Sequence, residues 1–136
     1  MKYFLTLSLA LIIESGFTQT NPEKHLANIK QLTFGGDNAE AYFSRDSKKV
    51  CFQSNNPAWG LECDQIFYMD IKKGLKDATQ RPQFISTGKG RTTCSFFMPD
   101  GKHILFGSTH LGSEKCPPPA KPYKNRYLWA VYEDFD

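Results

Sequence analysis

Several things are scarce in this sequence, and each scarcity removes a class of protein. Charge of one sign is scarce: 17 Lys+Arg stand against 14 Asp+Glu, a net +3. The basic residues are scattered among acids, so no electropositive stripe for nucleic acid is built. Long apolar runs are scarce after the N-terminus, and none approaches the roughly 18 residues a membrane span needs. No segment keeps a sustained 3.6-residue apolar period, so helix is expected to be minor. No G-x-S-x-G elbow, H-E-x-x-H, P-loop or G-x-G-x-x-G occurs. The glycine pair in Gly88-Lys89-Gly90-Arg91 has no following Lys-Ser/Thr to hold a phosphate, so it reads as a loop. His25, His103 and His110 are too far apart in sequence to suggest a metal site. Neither a cofactor nor an independent catalytic activity is therefore expected.

What is abundant is aromatic: 14% of the 136 residues are Phe, Trp or Tyr, with 23% charged. Such a chain can bury a core, and its length suits one domain. Its start, Lys2 followed by an apolar segment from Tyr3 to Ile13 and then Glu14, Ser15, Gly16, Thr18 and Gln19, has the layout of a secretory signal peptide. A signal helix over residues 1–18 is expected, with cleavage near Gly16 to Gln19. The mature chain, 19–136, is then expected to be periplasmic or secreted, with no membrane span left after cleavage.

Export makes disulfides the natural reading of Cys51, Cys63, Cys94 and Cys116. Four cysteines permit three pairings. No C-x-x-C is present, which argues against zinc. Cys51 lies in the apolar run Val50-Cys51-Phe52 and reads as a buried free thiol. Cys63, Cys94 and Cys116 flank loops, and any two could pair.

The strongest signal is internal repetition. Ala39–Asn55 aligns without gaps to the segment starting at Thr93, at an offset of 54 residues (Asp46 to Asp100). Phe43/Phe97, Asp46/Asp100, Lys48/Lys102, Phe52/Phe106 and Ser54/Ser108 are identical. The same offset sets Thr33 and Gly36 on Thr87 and Gly90. Each copy reads as a β-hairpin. In the second, Pro99 presets φ, Asp100 bonds locally and Gly101 tolerates positive φ; Ser47 replaces that glycine in the first. Ile66–Ile71 reads as a third strand stopped at Lys72–Gly74, and Pro82–Thr87 as a fourth.

Q-L-T, then A-Y-F-S-R-D-S-K-K-V-C-F-Q-S, then I-F-Y-M-D resembles the repeat of TolB-like β-propellers. The second copy, F-F-M-P-D-G-K-H-I-L-F-G-S, fits the same pattern. The resemblance covers Leu32 to Ser108; Arg45, Ser47 and Met98 depart from it. It implies an all-β fold of propeller blades, each of four antiparallel strands. About one and a half blades are expected, the first at about 30–80 and the start of a second at about 82–136. The second blade would lack its third and fourth strands, so further blades or self-association would be needed to complete it.

In a propeller of that kind the loops 35–40, 54–63, 88–93 and 108–127 share one face. They carry Asp37, Asn38, Glu40, Asn55, Asn56, Trp59, Glu62, Arg91 and His110, the candidate binding residues. Cys63, Cys94 and Cys116 would fall on the same face, where a disulfide could pin the loops. The implied function is a non-enzymatic exported module that binds a protein, peptide or glycan through this face. The alternative is a substrate-gating propeller segment of a prolyl-oligopeptidase-like hydrolase, whose chemistry would sit in a separate domain.

Overall fold

The computed structural model describes residues 24–124, 126, 128 and 130–136; the expected signal segment lies outside them. The fold is all-β with almost no helix, in two antiparallel sheets. The first sheet is a four-stranded meander of β1 (Asp37–Phe43), β2 (Lys49–Asn55), β3 (Gln65–Asp70) and β4 (Gln83–Phe84). The second is a hairpin of β5 (Thr92–Phe97) and β6 (Ile104–Ser108).

The 54-residue offset holds pair by pair in the backbone. Asn38↔Ser54, Ala39↔Gln53, Tyr42↔Cys51 and Phe43↔Val50 recur as Thr92↔Ser108, Thr93↔Gly107, Phe96↔Leu105 and Phe97↔Ile104. Each hairpin is bulged at the same place, and the bulge turns on a left-handed residue, Glu40 at φ 51° and Cys94 at φ 51°. A bulge of this kind adds one residue and sharpens the local twist. Gly36 and Gly90 are also equivalent, at φ 64° and 60°. Both sit where a Cβ would lie within 2.6–2.8 Å of the backbone opposite, Asn55 O for Gly36 and His110 N for Gly90. Only glycine lets the chain enter each hairpin this closely.

The two turns are built alike despite their different residues. Ser47 N donates to Ser44 O (2.8 Å) and Gly101 N donates to Met98 O (3.0 Å). Asp46 Oδ1 accepts from Lys48 N, and Asp100 Oδ1 accepts from Lys102 N. That backbone bond, together with the bond from His103, holds the Asp100 carboxyl down at about 2. Ser44 Oγ and then Lys48 N lower the Asp46 carboxyl. Ser47 adopts φ 55° where its counterpart Gly101 adopts 66°. A β-carbon in that region costs about 1 kcal/mol. Ser47→Gly is therefore expected to raise the unfolding free energy by about 0.5–1 kcal/mol, read as a higher urea midpoint at unchanged slope.

The core lies on one face of the first sheet, where Val50, Phe52, Phe67 and Met69 are buried and Leu32, Trp59, Leu61 and Ile71 pack against them. The opposite face meets the second hairpin: Tyr68 packs edge-on to Phe97, and Tyr42 to Phe96. Two details differ from the sequence reading. The stop expected at Lys72–Gly74 is instead a short helix, α1 (Ile71–Lys76), so β3 ends one residue early at Asp70. Asp70 caps it by accepting from Lys73 N (3.1 Å), and Gly74 lets the helix lie against the Met69 sulfur. The fourth strand is only two residues long, paired through Phe67↔Phe84 and Tyr68↔Gln83.

Candidate functional site

A cleft of about 540 Å³ opens where the start of β1, the end of β2 and the start of β5 converge. Its polar wall carries Asp37, Gln53, Asn55, Asp64, Arg91 and Thr93, and its other wall carries Pro119, Pro122, Leu128, Ala130, Tyr132 and Phe135. The polar groups meet because both hairpins begin at this end of the fold.

Arg91 is fixed first by its backbone. Its N–H donates to Thr109 Oγ1 (3.0 Å), and its carbonyl accepts from Thr109 N (3.0 Å). The next residue is tied down too, since Thr92 N and Oγ1 both donate to Asp64 O at 3.0 Å. These bonds bring the two side chains together, with Arg91 Nη1 3.4 Å from Asp64 Oδ2. The pair is half-sheltered, with Arg91 28% and Asp64 18% exposed. The guanidinium also lies over the Tyr132 ring, 6.0 Å from its centroid, while Arg91 Nε has no acceptor among the described residues. Deeper in, the buried Gln53 Oε1 accepts from Thr93 Oγ1 (2.8 Å) and Cys94 N (3.3 Å), locking the two sheets together.

Burial pushes the Asp64 carboxyl above its ordinary range, and the nearby charge of Asp37 adds to this; Arg91 opposes both. Removing the guanidinium leaves the first two effects unopposed. In Arg91→Met the Asp64 pKa is expected to rise further, followed through its carboxyl carbon shift in an NMR titration. A carboxylate whose folded pKa is raised gains relative stability as pH falls through that pKa, so its contribution at neutral pH is unfavourable and grows in the variant.

This second wall is held at both ends. Cys116 is bonded to Cys63, with Cα atoms 5.7 Å apart. At the other end Asp136 exchanges two backbone hydrogen bonds with Ser108 (3.0 and 3.1 Å). Between them Tyr132 Oη donates to Pro118 O (2.8 Å) and its ring packs on Phe135.

Of the residues singled out in the sequence, Asp37, Asn55 and Arg91 line this cleft. The others have structural partners. Asn38 Nδ2 bonds the carbonyls of Gly35 and Gly36. Glu40 accepts from Tyr42 Oη (2.8 Å), which raises the pKa of that phenol. Asn56 is buried, donates to Phe34 O and Gly35 O, and caps the short 3-10 turn Pro57–Trp59. Trp59 packs on Phe67 with centroids 5.0 Å apart, and Arg81 lies over its outer face. The Glu62 carbonyl lies 3.4 Å from the sulfur of the disulfide-bonded Cys116. His110 Nδ1 bonds Ser108 Oγ (2.8 Å). Cys94 is free and exposed at the β5 bulge, and Cys51 is free and buried.

Asp64, Gln53, Thr93 and Tyr132 belong to the cleft and were not singled out as binding residues. A signal was present in the 54-residue offset, which sets Arg91 at the position of Asp37. No group of three or more His, Cys, Asp or Glu among the described residues could hold a metal, and no described helix is long and apolar enough to cross a membrane. Comparison with family profiles, curated proteins and solved structures returned no match.

Proposed function

We propose that this chain is an exported, non-enzymatic binding module of TolB-like β-propeller type, taking a protein, peptide or glycan ligand into the Arg91–Asp64 cleft. The observation that carries the reading is the cleft itself. It joins charged donors and acceptors to an aromatic and proline-lined wall, with Arg91 Nε left without an acceptor among the described residues. Ligand sites commonly have this character, a concave surface with a few placed polar groups. A ligand carbonyl, carboxylate or hydroxyl would meet Arg91, and ligand donors would meet Asp37 and Asn55.

The repeat supports the propeller part of the proposal. Two hairpins with the same register and the same bulge, the second packed on the far face of the first sheet, are the relation that consecutive blades require. On this reading the basic-then-apolar start of the chain directs it to the periplasm or outside the cell, and further blades or self-association complete the ring.

The test is to apply the full chain to a peptide array and a glycan array and measure the affinity of the ligands retained. Arg91→Ala is expected to weaken them at least tenfold, while Lys73→Ala, on helix α1, leaves them unchanged. Ligands that bind the Arg91 variant as well as the parent would place the site elsewhere and contradict the reading.

A further inference from the structure

Asp37 and Arg91 occupy the same place in the two hairpins, each immediately after the left-handed glycine that opens its hairpin, Gly36 or Gly90. The equivalent positions therefore carry opposite charges, and both line the one cleft. Arg91 is engaged, with Nη1 3.4 Å from Asp64 Oδ2. Asp37 is not. Among the described residues its carboxylate accepts no hydrogen bond and pairs with no cation, and the side-chain amide of Asn55, its cross-strand neighbour, is likewise unbonded. Arg126, on the far side of the cleft, makes no ion pair with it. The charge of Asp37 is felt within the cleft all the same. The Asp64 carboxyl is raised first by burial, is opposed by Arg91, and takes a further upward push from Asp37. The other wall offers Pro119, Pro122, Leu128 and Ala130, apolar surface of the kind that the methylene stem of a basic side chain covers.

We propose that Asp37 sets the specificity of the cleft by pairing with a lysine or arginine side chain of a peptide segment, whose stem lies on the apolar wall and whose main-chain carbonyl meets Arg91. The inference rests on the cleft being the ligand site, and it adds the sign of the ligand and the residue that selects it. A basic side chain supplies the charge that Asp37 lacks and the apolar stem that the facing wall suits, and the peptide backbone supplies the acceptor for Arg91. A neutral glycan supplies hydroxyls to both charged groups and leaves the apolar wall without a matching surface. Selection here is a difference between ligands and not a large gain in affinity, because Asp37 is exposed at the start of β1 and water screens the pair.

The test is a peptide array in which every sequence is printed with Lys, Nε-acetyl-lysine or Glu at its central position, probed with the full chain. Retained sequences are then titrated in solution by fluorescence polarisation. The Lys versions are expected to bind about fivefold more tightly than the acetyl-lysine versions, which keep the stem and lose the charge, with Glu weakest. Asp37→Asn is expected to abolish that preference while changing the acetyl-lysine affinity by less than about twofold, and Asp37→Lys to turn the preference toward Glu. An unchanged urea midpoint in both variants shows that the fold is kept. Equal binding of the three versions, or a Lys preference that survives Asp37→Asn, overturns the inference. If those same peptides are still lost in Arg91→Ala, the cleft remains the ligand site and only its selectivity is misassigned. A chain that retains no peptide, or glycans alone, overturns the inference too, and Arg91→Ala again reports separately on the cleft.

Discussion

Replacing both Cys63 and Cys116 with alanine is expected to lower the free energy of unfolding by about 4 kcal/mol in urea denaturation. The bond closes a loop with a sequence separation of 53 residues. In the chain-entropy account, opening a loop of that size frees the unfolded chain by about this amount at 25 °C. The folded state loses a second thing, because the Asp136–Ser108 backbone pair then tethers that wall of the cleft without the bond at its other end. Reductant added to the unmodified chain should reproduce the loss. A change below about 1 kcal/mol would mean that the segment packs well enough without the bond. Cys51 and Cys94 are free, so the effect belongs to this one pair.

The second large effect is expected at Phe67. It is fully buried, and three rings surround it: Trp59 at 5.0 Å, Phe84 at 5.2 Å and Phe52 at 6.2 Å between centroids. Phe67→Ala removes the centre of this cluster and leaves a void that its rigid aromatic neighbours fill poorly, at a cost of about 3–5 kcal/mol. Phe84 touches the same ring but is 40% exposed. Its site can collapse toward solvent, so Phe84→Ala is expected to cost about 1–2 kcal/mol. Equal losses at the two positions, measured by urea denaturation, would contradict this assignment of the core.

Much of this architecture was legible in the chain because its signals are local. Pro99-Asp100-Gly101 announces a turn, the residues around it alternate, and the 54-residue repeat carries the same reading to the first hairpin. Even the awkward Ser47 adopts its counterpart's conformation, since Asp46 and Ser44 supply the same hydrogen bonds as Asp100 and Met98. The bulges were hidden because left-handed Glu40 and Cys94 carry no glycine to mark them. Helix α1 was hidden because Gly74, which usually breaks a helix, is here what lets it approach Met69. Most of all, Asp64, Gln53 and Thr93 become neighbours of Asp37 and Arg91 only when the two hairpins pack. Trp59 and Asn56 misled in the opposite direction. Each is of a type common at binding surfaces, and each is occupied with the core or a turn.

The proposed ligand site of the paired hairpins is the Arg91–Asp64 cleft. The most direct test is amide hydrogen exchange on the full chain with and without a ligand retained on the arrays. Added protection is expected at residues 37–39, 91–93 and 130–135, three of the segments that line the cleft. Protection falling instead around Lys49, Tyr68–Gly74 and Gln80–Gln83, at the other end of the first sheet, would contradict it.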